Sequence, residues 1–451
     1  MRLAALLLAC LALCGCGGAL RSQPPAPKWT TGFWFWQGSS ASVSPSAPPV
    51  DALYFQAGEI DGGPGQYRQE WSVYANVPGD LPPAAEYWIV LRFNSQSVPD
   101  VQVAPLIARR ISQLRAEMQQ QNRNLAGIQL DIDSPTRALP QYATLLHELR
   151  KNLAPGIGIS ITALLDWFRD GTAIGDVIKE VDEFVPQFYD LNDPHAFRNG
   201  IAAEIDSAKW GPAFARFGKR FRIGISTFGR ARSLSREDAT QNGTSAAIAR
   251  IYGDLAPVDV ASNSAFTLRT SHNDAGELVL TYRATRKVTI GYNQFDPGEG
   301  VQFILPTAET VRSAVESAKQ IKNCAGVVFF RWPASNETLA MLPEEVLAAA
   351  NGIVPPSRQD TLELSDGHCA AVHCTDVVLI SAKPLQPAAL RYHIHSSAEL
   401  EYFLPEDRIP IHMSGSSDLE LSLPPYAGRR RMYLGRAVTL KPAQFTLQPT
   451  P

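Results

Sequence analysis

The feature that most constrains this 451-residue chain is a series of eight short apolar segments separated by amphipathic ones. Residues 105–121, 139–152 and 308–322 space their apolar positions three and four apart, which predicts helices. Buried strands that alternate with helices indicate a parallel sheet covered by helices. The candidate strands are GFWFWQ (32–37), ALYFQAGE (52–59), YWIVLRFN (87–94), GIQLDID (127–133), GISITALL (158–165), EFVPQFYD (183–190), FRIGISTF (221–228) and GVVFFRWP (326–333).

Eight such units in about 300 residues fit a closed (β/α)8 TIM barrel of the α/β class, which we expect over residues 30–353. A doubly wound open sheet is the alternative, but no glycine-rich phosphate loop follows any of these strands. The segment at about 232–305 is too long for a loop and contains the strand-like runs AFTLRTS and ELVLTYRA. It predicts a small antiparallel β insertion between strands seven and eight.

Residues 358–451 change to alternating runs such as TLELS, DVVLISA and LRYHIHS, which predict a C-terminal β-sandwich domain. Cys369 and Cys374 favour a disulfide in an oxidising compartment. A metal site is the alternative because His368, His373, His393 and His395 are nearby, but no standard zinc spacing occurs. We therefore expect neither metal nor cofactor. The basic run at 429–431 is expected to be a solvated loop.

The N-terminus MRLAALLLACLALCGCGGALRS predicts a signal peptide at 1–15 and a flexible tether at 16–29. Leu13-Cys14-Gly15-Cys16 resembles the bacterial lipobox, which implies lipid on Cys16; an ordinary secretory signal is the alternative. The expected location is the bacterial periplasm or outer surface, with the membrane contacted through the N-terminal lipid only. A formal net charge of −3 gives no reason to expect a nucleic-acid partner, and a monomer is expected.

The segment GIQLDID carries the strongest chemical signal. Side chains alternate along a strand, so Gln129, Asp131 and Asp133 share one face while the isoleucines and Leu130 share the other. In a barrel the polar face points inward, and Asp133 emerges at the C-terminal rim, where barrel enzymes hold their reactive groups. Two nearby carboxyls split their pKa values, which leaves one protonated and able to act as a general acid. A buried polar network that only stabilises the barrel is the alternative.

This segment resembles the strand-four signature of glycoside hydrolase family 18, the chitinase-type barrels. The resemblance implies that Asp133 is the catalytic acid, that Asp131 supports it, and that Gln129 replaces an interior aspartate and is expected to contact the substrate. PQFYDL resembles the strand-six pattern, which implies a catalytic role for Tyr189 at the substrate amide and substrate contacts for Gln187 and Asp190. GISTFGR (224–230) and GVVFFRW resemble the seventh and closing strands. LDIDSPT and the two segments YATLLHELR and SITALLDWF are similar to an uncharacterised bacterial lipoprotein family, domain of unknown function 3142.

Further candidates for substrate binding follow from rim positions. Arg92 and Asn94 share a face at the end of strand three, Trp36 ends strand one, and Arg331 and Trp332 end strand eight, with Trp332 expected on the face of Phe330. Aromatic faces suit sugar rings. The sequence thus predicts a surface-tethered glycoside hydrolase-like protein that acts on a cell-envelope or secreted polysaccharide. Because aspartate replaces glutamate at position 133, a non-catalytic glycan-binding lipoprotein is the second hypothesis.

Overall fold

The computed structural model describes residues 28–36, 47–63, 70–95, 97–189, 205–236, 255–334, 337–354, 359–370, 372–383, 385–407 and 409–450. The predicted signal peptide, most of the tether, Cys16 and Asp190 lie outside these residues. Within the described part of the chain, no helix is both long and apolar enough to cross a membrane.

Eight parallel strands form a closed barrel, as predicted. The first strand pairs with the second and also with the eighth, so the ring closes and the open-sheet alternative is excluded. An additional short strand, Ser72–Ala75, runs antiparallel to the end of strand two. The barrel strands are, in chain order, Thr30–Phe35, Val50–Asp61, Ala84–Phe93, Leu125–Ile132, Gly158–Ala163, Glu183–Pro186, Phe221–Ser226 and Cys324–Phe330.

Helices cover the outside of the ring. The apolar face of strand four, Ile128, Leu130 and Ile132, has no exposed surface and shares one core with Leu145 and Leu149 of the helix that follows. Each such side chain contributes about 1.5–3 kcal/mol when it is removed from water. The described helices around the barrel are Ala104–Gln120, Leu139–Asn152, Ile174–Glu180, Ser207–Ala215, Ala308–Lys319 and Pro343–Ala350, with 3-10 turns at Val101–Val103, Thr136–Ala138 and Leu165–Phe168.

A buried ionic cluster fills the floor of the barrel. Arg222 is 2% exposed, and its Nη1 donates to Glu183 Oε2 at 2.6 Å and to Tyr54 Oη at 2.6 Å. The Tyr54 hydroxyl donates in turn to Glu183 Oε1 at 2.6 Å, and Arg222 Nε donates to Thr30 Oγ1 at 2.9 Å. A charge taken out of water is tolerated only when it is paired and hydrogen-bonded, which this cluster achieves.

The predicted insertion between strands seven and eight is present and begins at Arg230, two residues before the predicted start. Its antiparallel sheet encloses a small core that includes Leu280, Tyr282 and Phe303. The insertion comprises the strands Arg230–Leu234, Phe266–His272, Leu278–Ala284 and Gly300–Leu305, the hairpin Val288–Ile290 with Asn293–Phe295, and the helix Pro257–Ala261.

The C-terminal residues form a β-sandwich of two four-stranded antiparallel sheets, as predicted. Leu379 of one sheet and Ile394 and Leu421 of the other share its core. Cys369 and Cys374, with Cα atoms 5.6 Å apart, form the disulfide that the sequence favoured over a metal site. One sheet contains Thr361–Asp366, His373–Ile380, Arg431–Thr439 and Leu400–Pro405; the other contains Ile411–Met413, Asp418–Leu423, Leu390–Ser396 and Phe445–Thr450.

The basic run at 429–431 is not the solvated loop that the sequence predicted. Arg429 Nη2 contacts both carboxylate oxygens of Asp259 in the insertion, at 2.8 and 2.9 Å. Arg430 Nη2 donates to the Ala340 carbonyl, in the segment after strand eight, at 3.0 Å. Arg431 forms an ion pair with Glu363 in the sandwich. Consecutive arginines therefore connect the insertion, the barrel and the sandwich.

We predict that the barrel floor is a major source of stability. Arg222→Met leaves Glu183 buried without its cation, and loss of one partner of a buried pair costs about 3–5 kcal/mol. The free energy of unfolding, measured by urea titration, should fall by that amount. Arg312→Met, which breaks an exposed pair with Glu309, should change it by less than about 1 kcal/mol. Similar losses in the two variants would contradict a special role for the floor.

Candidate active site

Asp131 lies near the end of strand four, and Asp133 lies just past it. Asp131 faces the barrel interior and is 7% exposed. Asp133 follows the last residue of the strand and is exposed at the C-terminal end of the ring. We call this end, bounded by Trp36, Arg92, Asp133, Tyr189 and Phe330, the barrel mouth. One carboxyl therefore lies at this end of the ring, and the other lies two residues before it in the buried interior.

Three polar side chains hold the Asp131 carboxylate. Thr162 Oγ1 donates to Asp131 Oδ1 at 2.8 Å, Arg92 Nε lies 3.8 Å from Oδ2, and the Gln187 side chain also forms a hydrogen bond with this carboxyl. Burial raises the pKa of Asp131, while these three partners lower it; burial has the larger effect and the net shift is upward. A buried carboxyl that retains its proton to higher pH than usual is what proton transfer in a barrel mouth requires.

Tyr142, on the helix that follows strand four, is buried in the outer core. Its hydroxyl donates to the Leu130 carbonyl at 3.4 Å. Burial raises the pKa of Tyr142, and the negative charges of Asp131 and Asp133 raise it further.

Arg92 and Asn94 end strand three beside these carboxylates. The side chain of Arg92 is 36% exposed, and its guanidinium lies 5.9 Å from the centre of the Trp36 ring. Asn94 is exposed and donates to Glu59 Oε1 at 3.4 Å. Arg92 forms an ion pair with Asp131 and still presents part of its surface to the mouth, so this pair leaves the predicted substrate contact possible.

Aromatic rings form one side of the mouth. The rings of Tyr189 and Phe330 are stacked, 4.5 Å apart with an interplanar angle of 7°, and Trp36 meets Phe330 edge-on at 5.6 Å. All three are partly exposed. Gly224 makes this packing possible, because a Cβ atom there would lie 2.8 Å from the Tyr189 ring and 2.9 Å from Trp34.

Trp332 does not lie where the sequence placed it. It was expected on the face of Phe330, but it is 6% exposed and packs edge-on against Phe33 in the outer core, with ring centres 5.3 Å apart. Phe330 instead belongs to the interior cluster. Strand eight ends at Phe330, so the alternation used for the prediction does not continue to Trp332. Trp332 is therefore unavailable as a sugar platform.

Arg331 and Gln129 are also engaged within the protein. Arg331 Nη2 donates to Glu337 Oε1 at 2.6 Å. Gln129 has no exposed surface; its Oε1 accepts from Trp34 Nε1 at 2.7 Å, and its Nε2 donates to Ser160 at 3.1 Å. The predicted substrate contact of Gln129 is wrong, because the side chain supports Trp34 below the mouth. Gln187 is 7% exposed and supports Asp131.

Sequence reasoning missed Thr162 and Ser160, which hold Asp131 and Gln129. The signal was available: in the predicted strand GISITALL these two polar residues share a face, two positions apart, beside the polar face of strand four.

The Cys324 thiol, at the start of strand eight, stays protonated, because burial raises its pKa to about 12. Among the described residues, no group of three or more potential metal ligands could hold an ion.

Comparison with known proteins agrees with part of this picture. Residues 86–250 match the family model of the domain of unknown function DUF3142. The resemblance expected from LDIDSPT and the segments after it is thereby confirmed. The match begins in strand three and includes Arg92, Asp131, Asp133, Thr162 and Tyr189. No curated protein matches the sequence.

Several solved structures match this chain at low similarity. Chitinase ChiA74 from Bacillus thuringiensis has a TM-score of 0.46 and 11% identity, with 93% of this chain and 100% of that chain covered. A family 18 N-acetylglucosaminidase from Paenibacillus barengoltzii has a TM-score of 0.45 and 13% identity, over 72% of this chain and 99% of that one. The Bacillus cereus spore cortex-lytic enzyme SleL has a TM-score of 0.42 and 12% identity, over 74% and 76%.

The raised pKa of Asp131 predicts a pH dependence of stability. The folded protein retains this proton to higher pH than the unfolded chain, whose aspartates titrate near about 3.9. Asp131 therefore contributes less to the free energy of unfolding as pH rises from the aspartate pKa of the unfolded chain through the raised pKa of Asp131 in the folded protein. In urea titrations across this window, Asp131→Asn should gain stability relative to the wild type as pH rises.

The matched control is Asp170→Asn, because the Asp170 side chain is fully exposed. A gain of the same size in this control would mean that burial of Asp131 is not the cause. If Asp131→Asn instead gained stability relative to the wild type only as pH falls, folding would lower the pKa of Asp131 and the prediction would be wrong.

Proposed function

We propose that this protein binds a glycan across the barrel mouth and cleaves it by general-acid catalysis with Asp133. The observation that carries this proposal is the arrangement at the end of strand four: Asp133 is exposed just past the strand, and Asp131, two residues before it, is buried in the barrel interior with a raised pKa. The half-exposed aromatic rings beside them support a sugar as the substrate.

In this mechanism Asp133 donates a proton to the glycosidic oxygen while the bond from that oxygen to the anomeric carbon breaks. Positive charge develops on the sugar, and the resulting Asp133 carboxylate then accepts a proton from the water that attacks the anomeric carbon. While Asp131 keeps its own proton, it can donate a hydrogen bond to the Asp133 carboxylate that forms in the first step and so stabilise that charge. If the sugar carries an acetamido group, Tyr189 would orient it, the role that the family 18 resemblance implies.

The length of the acid limits the expected rate. Aspartate is one methylene shorter than the glutamate of the family 18 pattern, so its carboxyl lies about 1 Å farther from the bond, and misplacement on that scale can cost ~10²-fold. We therefore expect slow turnover unless the glycan sits deeper in the mouth. The half-buried Arg92 contacts Asp131 on one side and Trp36 on the other, so it would bind hydroxyls of a deeply seated ring.

A non-catalytic glycan-binding protein is the second candidate. It is favoured by the contacts of Asp131, whose carboxylate already interacts with Thr162, Arg92 and Gln187. Such a carboxylate can stabilise the mouth without any proton transfer. Aromatic rings and polar groups at the mouth would then bind a sugar and leave its bonds intact.

We also propose that lipid on Cys16 tethers the protein to a membrane, so that it acts on a bacterial cell-envelope or secreted polysaccharide in the periplasm or at the outer surface. The support is the sequence Leu13-Cys14-Gly15-Cys16 after an apolar leader. A lipid chain anchors by burial of methylenes at ~0.8 kcal/mol each, and stable anchoring requires more than one chain.

The catalytic proposal predicts that Asp133→Asn lowers turnover of glycol chitin or alginate by at least ~10²-fold, because loss of a general acid costs 10²–10⁴-fold. Asp133 is exposed, so the thermal transition should stay within a few degrees of the wild type. Turnover is measured from released reducing ends, and binding is measured separately by affinity electrophoresis.

Asp133→Glu is the matched variant, since it keeps the acid and adds the missing methylene; it should retain turnover. Wild-type binding without products would select the second candidate. Unfolding of Asp133→Asn would instead make Asp133 a structural residue.

The tether proposal predicts that Cys16→Ser moves the protein from the membrane fraction to the soluble fraction of a bacterial host, because the acylated thiol is lost. Fractionation followed by immunoblotting measures the shift. Cys324→Ser is the control, because this partly buried cysteine lies in the barrel. Membrane association that persists in Cys16→Ser would exclude lipid at this residue as the sole anchor.

A further inference from the structure

A second concave site lies beside the barrel mouth. It is a recess of about 370 Å³, lined among others by Gly62, Gly63, Trp71, Phe93, Asp100 and Thr144. We call it the side recess. Its volume falls within the range of small-ligand sites, which is about 300–1,000 Å³. The mechanism proposed above uses none of these residues.

The side recess opens at the same end of the barrel as the mouth. Gly62 and Gly63 follow strand two, and Phe93 is the last residue of strand three. Phe93 lines the side recess, whereas the preceding residue, Arg92, contacts Asp131 at the mouth. Consecutive residues of a strand point to opposite sides, so the wall of strand three separates the two sites. A chain of sugars that leaves the mouth over strand three meets the side recess next.

Two glycines and Phe93 fix the position of Trp71, the aromatic wall of the side recess. Gly62 and Gly63 have φ values of +102° and +103°, a backbone region that favours glycine. A Cβ atom at Gly63 would lie 2.5 Å from Cζ2 of Trp71, so only glycine lets the backbone approach this ring. Phe93 supports the indole from another side, with ring centres 6.0 Å apart. Trp71 is thereby fixed while it remains partly exposed.

Polar groups form the opposite wall. Asp100 is exposed, and its Oδ1 accepts from the backbone N–H of Gln102 at 2.9 Å, which fixes the carboxylate at the start of a 3-10 turn. Gln141 and Thr144 are exposed on the first turns of helix Leu139–Asn152. A flat ring opposite hydroxyl, amide and carboxylate groups matches the apolar face and the hydroxyl edge of a sugar.

We infer that the side recess binds a further sugar unit of the glycan held at the mouth, and that this unit is a neutral or amino sugar. The carboxylate of Asp100 in the polar wall favours this class. A carboxylate accepts hydrogen bonds from hydroxyl and amino groups and repels an acidic sugar. This inference rests on the proposed function and extends it from one bond to a longer chain.

The test uses the full-length protein and affinity electrophoresis in gels that contain glycol chitin or, separately, alginate. Thr144→Trp fills the side recess from an exposed helix position, and Trp71→Ala removes its aromatic wall. Each should weaken retardation by glycol chitin about three- to tenfold, the loss expected for one aromatic contact. Lys151→Trp, at the exposed far end of the same helix, is the matched control and should have no effect.

A second measurement separates the side recess from the mouth. With a chitobiose glycoside, which is too short to occupy both sites, kcat and KM should be unchanged in Thr144→Trp, whereas Asp133→Asn should lose turnover. If the wild type has no turnover but Thr144→Trp still weakens retardation, the catalytic proposal fails and the side recess stands.

Three results would overturn the inference: wild-type protein that glycol chitin does not retard, retardation that is equal in Thr144→Trp, Trp71→Ala and Lys151→Trp, or weakened retardation in alginate alone. Because Thr144 is exposed, the inference remains testable even if Trp71→Ala fails to fold.

Discussion

The ion pair between Arg222 and Glu183 closes the floor of the barrel, and the layers above depend on that closure. A ring of eight strands points every second side chain inward, and the interior must be filled without unpaired polar groups. Above the ionic floor, Trp34 is held by Gln129, and Gln129 is held by Ser160. Asp131 and its partners form the next layer, and the exposed groups of the mouth complete the stack. The position of each functional side chain therefore follows from the register of strand four.

The state of Asp131 is decided by competition between burial and its partners. Transfer of a carboxylate from water disfavours the charged form by several kcal/mol, whereas each charge-assisted hydrogen bond restores about 1.5–3 kcal/mol. Thr162 donates at 2.8 Å, but Arg92 is 3.8 Å away and is partly solvated, which weakens its effect. Burial therefore has the larger influence and raises the pKa of Asp131. The same layer that stabilises the barrel thus provides a carboxyl suited to proton transfer.

The eight strands and three predicted helices were visible in the sequence because buried strands and amphipathic helices impose different periodicities. The same rule placed Gln129, Asp131 and Asp133 on one face. It failed at Trp332, because strand eight ends at Phe330 and side chains need not alternate beyond the end of a strand. Two other predictions, the substrate contact of Gln129 and the solvated loop at 429–431, failed for a different reason. The partners of these residues lie far away in the chain: Trp34 for Gln129, and Asp259 and Ala340 for the arginines. Short strands such as Ser72–Ala75 carry too few residues for a pattern.

The mouth is asymmetric, and this asymmetry bears on how a polymer could lie across it. On the side of strands seven and eight, the rim is tied down by backbone hydrogen bonds from Thr227 to Phe330 at 2.8 Å and from Met341 to Thr227 at 2.9 Å. Arg430, which reaches the Ala340 carbonyl, fastens the same segment to the sandwich. On the side of strands two and three, the end of the ring instead leads to exposed Glu59 and Asn94 and then to the side recess. A bound chain would therefore extend over strand three, because polar groups and concave space are available there.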